Sequence, residues 1–171
     1  MKHTVKIILG LALLVCMGLG SANAQKFAYI DFQDLMQQMP EYKKANADME
    51  AYGKTLQDQL KTMSAELEKK YAEYQEKEKT WNEAIRDLKQ KELRDLQNRI
   101  QEFQETAQEN ARKKETELLK PIIEKAKTTI AAVAKESGYT YVFDSSPGTP
   151  LLYKPDGDNI MPAVKKKLGI I

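Results

Sequence analysis

Residues 54–120 contain neither glycine nor proline. An uninterrupted run of 67 residues without either turn-former is a long helix system or a disordered segment, and composition alone does not choose between them. Across 41–120, 35 of 80 residues are charged, 18 acidic and 17 basic. The spacing of the apolar residues decides. Met49, Tyr52, Leu56, Leu60, Met63, Leu67, Tyr71 and Tyr74 follow one another at steps of 3, 4, 4, 3, 4, 4 and 3. Leu96, Ile100, Phe103, Ala107, Ala111, Lys114, Leu118 and Ile122 step by 4, 3, 4, 4, 3, 4 and 4, with only Lys114 off type. A disordered chain has no reason to hold such a stripe, so two amphipathic helices are predicted. The pairs Glu66/Lys70, Glu73/Lys77, Asp95/Arg99 and Glu109/Lys113 have the spacing that supports their wet faces. A repeat of 11 residues, about 3.67 per turn, predicts nearly straight or weakly right-handed pairing.

A single helix over 41–120 would be about 120 Å long. The stripe lapses over 76–83, and Thr80-Trp81-Asn82-Glu83 has capping-box spacing, with Asn82 as an alternative N-cap. The expected form is therefore an antiparallel hairpin with its tip near 76–84 and Trp81 close to it.

The flanking segments have another character. Phe27-Ala28-Tyr29-Ile30 has a strand pattern, 31–36 a helical turn, and Pro40 breaks the chain before the first long helix. After 122–137, Gly138 is placed as a helix C-cap. Tyr139-Thr140-Tyr141-Val142-Phe143 and Leu151-Leu152-Tyr153 read as strands separated by a turn over 145–150. Asp156-Gly157-Asp158-Asn159 reads as a further turn, with Asp158 or Asn159 capping a last helix that ends near Leu168 in three lysines suited to its dipole. The expected fold is mainly α with a small β body: a long antiparallel helical-hairpin (coiled-coil) arm, 41–121, on a small α+β body of 25–40 and 122–171. Phe27, Tyr29, Ile30, Tyr141, Phe143 and Leu152 are the candidate core of that body or of its assembly. Pro121 deletes the backbone bond to Glu117 and is expected to bend the chain where arm meets body. So small a body often needs help from oligomerisation.

The chain's one cysteine and one histidine, Cys16 and His3, lie in a leader with secretory signal-peptide features. Lys2 and Lys6 give the positive region, residues 7–19 the apolar core, and Ala22-Asn23-Ala24 the small residues for cleavage. Removal of 1–24 would leave 147 residues with neither Cys nor His, and 25 basic against 25 acidic residues. Such a chain has no imidazole base and no thiolate, so serine–histidine or cysteine–histidine catalysis is excluded. No catalytic residue, metal site or cofactor is expected, and a net charge near zero gives no affinity for nucleic acid.

Several of these segments resemble the Skp/OmpH family of periplasmic chaperones. They are Phe27-Ala28-Tyr29-Ile30-Asp31-Phe32-Gln33, the Gln/Glu/Lys-rich hairpin, Leu118-Leu119-Lys120-Pro121-Ile122-Ile123, Ala134-Lys135-Glu136-Ser137-Gly138-Tyr139-Thr140-Tyr141-Val142-Phe143-Asp144, and the closing segment from Asp158 to Gly169. The resemblance implies a jellyfish-like homotrimer whose arms enclose a cavity. It also implies ATP-independent holding of unfolded outer-membrane β-barrel proteins in the periplasm of a Gram-negative bacterium. Consistently, the sequence has no GxxxxGK phosphate loop. Enterobacterial members of the family are basic, whereas this chain is neutral, which argues against membrane or lipopolysaccharide contact. Tyr71, Tyr74, Trp81 and Phe103 are candidate client contacts, a role that competes with packing inside the arm. The alternative function is a structural or adaptor coiled coil of the envelope that binds a folded partner.

Overall fold

The computed structural model describes residues 25–155 and 157–170; the expected leader, 1–24, lies outside the described residues, as does Asp156 of the expected turn. The elements in order are β1 (Phe27–Ile30), α1 (Phe32–Gln38), α2 (Pro40–Lys77), α3 (Glu83–Glu136), β2 (Tyr141–Asp144) and α4 (Met161–Leu168). Helices α2 and α3 form the hairpin, about 57 Å and 81 Å long at 1.5 Å per residue.

Local chemistry sets each boundary. Asp31 caps α1, its Oδ1 accepting from the Asp34 amide at 2.8 Å. The other first-turn amides go to distant groups: Phe32 donates to Asp144 Oδ1 at 3.2 Å and Gln33 to Ser146 Oγ at 3.0 Å. All three of those orphan donors are thus satisfied. Met39 is extended (φ −70°, ψ 126°), as a residue before proline prefers, and Pro40 opens α2, where its missing N–H costs nothing. At the tip the capping-box alternative gives way to Asn82. The Asn82 Oδ1 accepts from the Ile85 amide at 2.9 Å, while the Thr80 hydroxyl donates back to the Lys77 carbonyl at 2.8 Å. Helix α3 continues unbroken through Pro121. It ends where Gly138 turns left-handed (φ 72°), with Tyr139 N–H donating to Ala134 O at 2.9 Å in the expected C-terminal cap.

Strands β1 and β2 pair in parallel, Phe27 opposite Tyr141 and Ile30 opposite Asp144. Parallel strands need a crossover, and here it is the whole arm. The other side of β1 is taken by 158–160: Tyr29 N–H donates to Asp158 O at 3.0 Å and Ile160 N–H to Tyr29 O at 3.1 Å. This corrects one expectation. Residues 151–153 form no strand, and Leu152 and Tyr153 are 98% and 80% exposed. The second edge of β1 is taken by 158–160, so 151–153 is not the segment that extends the sheet there.

The core sits where the arm returns to the body. Ala28 and Ile30 from β1, Leu35, Met36 and Met39 around α1, and Ala45 at the base of α2 pack with Ile122, Ala126 and Val133 of α3 and with Ile160 and Val164. The last turn of α4 holds three lysines, and Lys167 pairs with Glu136 at 2.5 Å. Asn159 Oδ1 accepts from the Met161 amide at 2.9 Å, so the expected capping residue acts one position further from the helix than a conventional N-cap.

Candidate functional site

Two surfaces of the chain have the chemistry to bind other polypeptides: the distal arm and the outer face of the sheet. In the arm, the residues of both stripes are buried or half-buried, Lys114 included, except Tyr71, which is 51% exposed. Along the wet faces Glu73–Lys77 (3.2 Å) and Glu109–Lys113 (2.5 Å) form as expected. Lys70 instead reaches across the hairpin to Glu92 at 3.7 Å, and Lys89 meets the same carboxylate at 3.1 Å. The ammonium partners hold all three glutamates below the usual carboxylate range, chiefly through hydrogen bonds from Lys77 to Glu73, Lys89 to Glu92 and Lys113 to Glu109.

At the tip, Tyr74 and Trp81 stand edge to face with centroids 5.9 Å apart, and the Gln90 side-chain amide donates to the Tyr74 hydroxyl at 2.8 Å. Both rings are half-buried in this clasp. Phe103 is also half-buried in the α3 stripe, which leaves Tyr71 as the most open of the four candidate contacts. Sequence reasoning missed the aliphatic pair beside the tip. Ile85 and Leu88 are 39% and 55% exposed one turn apart at the start of α3. Their signal was present in the sequence: two apolar residues spaced i, i+3 directly after the Asn82 cap, where the stripe has lapsed.

On the body, strand alternation turns Ala28 and Ile30 inward and leaves the aromatics opposite. Phe27 stacks on Tyr141 (5.9 Å between centroids, 18° between planes) and meets Phe143 at 5.9 Å. Tyr29 is covered by the Lys154 ammonium, 4.7 Å from its ring centroid. Phe27, Tyr141 and Phe143 are about half exposed. Of the six candidates for the core of the body or its assembly, Tyr29 and Ile30 are buried, Tyr29 under Lys154 and the following loop; Phe27, Tyr141 and Phe143 lie on the surface of the chain because the alternation that buries one side of a strand presents the other, and Leu152 lies on the surface because it belongs to an exposed loop. Beside this face a crevice of about 210 Å³ is lined by Phe27, Tyr29, Phe143, Leu151 and Tyr153.

The sheet is fastened to α1 by a polar knot. Ser146 Oγ lies 2.5 Å from Asp144 Oδ1 and 3.1 Å from Asp31 Oδ1, and accepts from the Gln33 amide. Burial pushes the Asp144 carboxyl up, but the Ser146 hydroxyl and the Ser146 and Phe32 amides outweigh it and hold Asp144 below its ordinary value. Asp31, Asp144 and Ser146 include no basic nitrogen to activate the hydroxyl; the cluster is a cap and a tether.

Residues 26–168 match the family model described as outer membrane protein (OmpH-like). The chain belongs to the OmpH-like family. Two relatives described as chaperone protein Skp lie within reach. That of Photorhabdus laumondii is 24% identical over 149 residues, 87% of this chain and 88% of the relative. That of Photorhabdus luminescens is 26% identical over 156 residues, with the same coverage. A solved structure from Caulobacter crescentus, described as an OmpH-like outer membrane chaperone, superposes with a TM-score of 0.73 at 14% identity, covering 86% of each chain. That likeness establishes the OmpH-like fold of a long helical hairpin on a small strand-containing body. No helix among the described residues is long and apolar enough to cross a membrane.

Proposed function

We propose that this OmpH-like protein is an ATP-independent periplasmic holdase that keeps unfolded outer-membrane proteins from aggregating and aids their delivery. The observation that carries this reading is a long, polar arm whose exposed apolar residues, Tyr71, Ile85 and Leu88, concentrate toward its free end. Each contact is small. Several arms touching one unfolded chain add up through avidity, with no tight site anywhere, and preferential binding of the unfolded state disfavours its aggregation by mass action. The aromatic face of Phe27, Tyr141 and Phe143, with Leu152 beside it, is the proposed surface of self-association into a homotrimer, and Pro121 the proposed bend at the root of each arm.

The test dilutes a urea-unfolded outer-membrane β-barrel into buffer without nucleotide and follows light scattering. Saturable suppression for several unrelated barrels, together with a light-scattering mass of three protomers, supports the proposal. No suppression, with binding confined to one folded envelope protein, refutes it in favour of an adaptor.

A further inference from the structure

Sulfur in 25–171 is confined to methionine. No cysteine falls there, and the methionines are Met36, Met39, Met49, Met63 and Met161. Their surroundings divide them. Met36 and Met39 are 6% and 0% exposed in the core of the body, beyond the reach of a solute. Met49 and Met63 belong to the α2 stripe of the arm and are half-buried, as are Leu56, Leu60 and Leu67 along the same stripe. Met161, also half-buried, opens α4 and packs at the margin of the body core.

The construction of the arm explains the difference. A two-helix hairpin has a seam one layer of side chains deep, with no third element to cover it, and no residue of 46–77 is fully buried. The Met49 and Met63 thioethers therefore combine two properties that Met36 and Met39 do not. A dissolved oxidant reaches the sulfur, and the sulfur lies in an apolar seam. Interpolation between the Glu41–Lys125 and Lys70–Glu92 ties sets Met63 level with Ile100, and Met49 level with about residue 116, between Lys114 and Leu118.

We propose that Met49 and Met63 are reversible oxidation sites through which a peroxide weakens the pairing of the arm's two helices. A thioether lone pair attacks one oxygen of hydrogen peroxide, the O–O bond breaks and water leaves; the sulfur is oxidised by two electrons to the sulfoxide and the peroxide is reduced. No thiol of 25–171 competes for the oxidant. The sulfoxide oxygen is a polar acceptor on a side chain that was apolar. It either stays in the seam without a donor or turns to water and takes its side chain out of the seam. Both outcomes remove apolar contact at two levels about 21 Å apart along α2. A methionine sulfoxide reductase driven by a dithiol reverses the step, with water released and the dithiol oxidised to a disulfide. This conclusion stands whether or not the holdase reading does, since it concerns the arm alone.

Treating the intact protein with hydrogen peroxide and locating the added oxygen by peptide mass spectrometry tests it. Met49 and Met63 are expected to take up oxygen at least about tenfold faster than Met36 and Met39. Amides of 56–67 and 96–103 in the oxidised protein should then exchange hydrogen at least about threefold faster, and the reductase should restore the original rates. Met49→Leu with Met63→Leu keeps the volume and the apolar character of both positions. In that variant, where Met161 is still oxidised, peroxide should leave the exchange of the arm unchanged. Equal oxidation of arm and body methionines, unchanged exchange in the fully oxidised arm, or a peroxide effect on the arm that persists in the double variant overturns the proposal.

Discussion

Replacing Ser146 with alanine removes one hydroxyl, yet it frees three residues at once, Asp31, Gln33 and Asp144. The Gln33 amide in the first turn of α1 loses its acceptor, and Asp144 at the end of β2 loses its shortest bond, 2.5 Å. Leaving a part-buried amide without a partner costs about 1–3 kcal/mol, and a bond to an ionised group contributes about 1.5–3. Water reaches part of the knot and recovers some of this, so Ser146→Ala is expected to cost about 2–3 kcal/mol. For a chain of this size that lowers Tm by roughly 4–10 °C, measured by circular dichroism at one fixed protomer concentration so that assembly does not shift the comparison. The pH dependence gives a second check. Asp144 is held below its ordinary value, so its bonds contribute stability above the unfolded-state value and lose it as pH falls through the folded one. The cost of Ser146→Ala should therefore be full at pH 7 and shrink as pH falls below the ordinary aspartate value and through the lower folded one. A cost under about 0.5 kcal/mol at pH 7, or one that does not change with pH, refutes the role assigned to the knot.

Gly53→Ala is expected to raise stability in urea by about 0.5–1 kcal/mol, because the new methyl meets nothing and the helix gains propensity; a loss of stability would show that the glycine serves a contact. Asn82→Ala removes the bond to the Ile85 amide and should cost about 1 kcal/mol, seen as faster amide exchange over the first turn of α3. Ile85→Asp with Leu88→Asp should leave the circular dichroism unchanged and weaken binding of an unfolded barrel several-fold. Unchanged affinity would remove the distal arm from client contact.

The arm was legible because its information is local. Stripe, lapse and Gly138 cap are all read within a few residues of where they act, and the structure follows them. The capping box at Thr80 was misread because two caps two residues apart compete, and only the geometry shows that the Thr80 hydroxyl turns back to Lys77 while Asn82 starts the helix. The body was less legible because its bonds join residues more than 110 positions apart, as Gln33 to Ser146 and Phe32 to Asp144 do. Nothing near Leu151 or Tyr153 in the sequence signals that 158–160 already occupies the free edge of β1. Ser145-Ser146-Pro147-Gly148 reads as an ordinary turn, and its role as the tether of α1 has no local signature.

The parallel pairing of β1 with β2 makes the arm a structural connection as well as a projecting surface. The strands meet only if α3 brings the chain back in register, so the sheet depends on the hairpin's phase more than on its length. The stripe repeats every 11 residues, three helical turns to within about 20°. Deleting 57–67 from α2 together with 96–106 from α3, which face each other by interpolation between the Glu41–Lys125 and Lys70–Glu92 ties, removes one repeat from each side. The ties at Glu41–Lys125 and Lys70–Glu92 remain, about 16 Å closer together. The shortened protein should lose helical signal in proportion to the residues removed and keep the near-ultraviolet circular dichroism of Phe27, Tyr141 and Phe143. Deleting 57–67 alone strands α3 three turns out of step and should abolish that aromatic signal. If the paired deletion abolishes it as well, the body depends on contacts within the middle of the arm, and the division between a phase-setting crossover and an independent aromatic sheet is wrong.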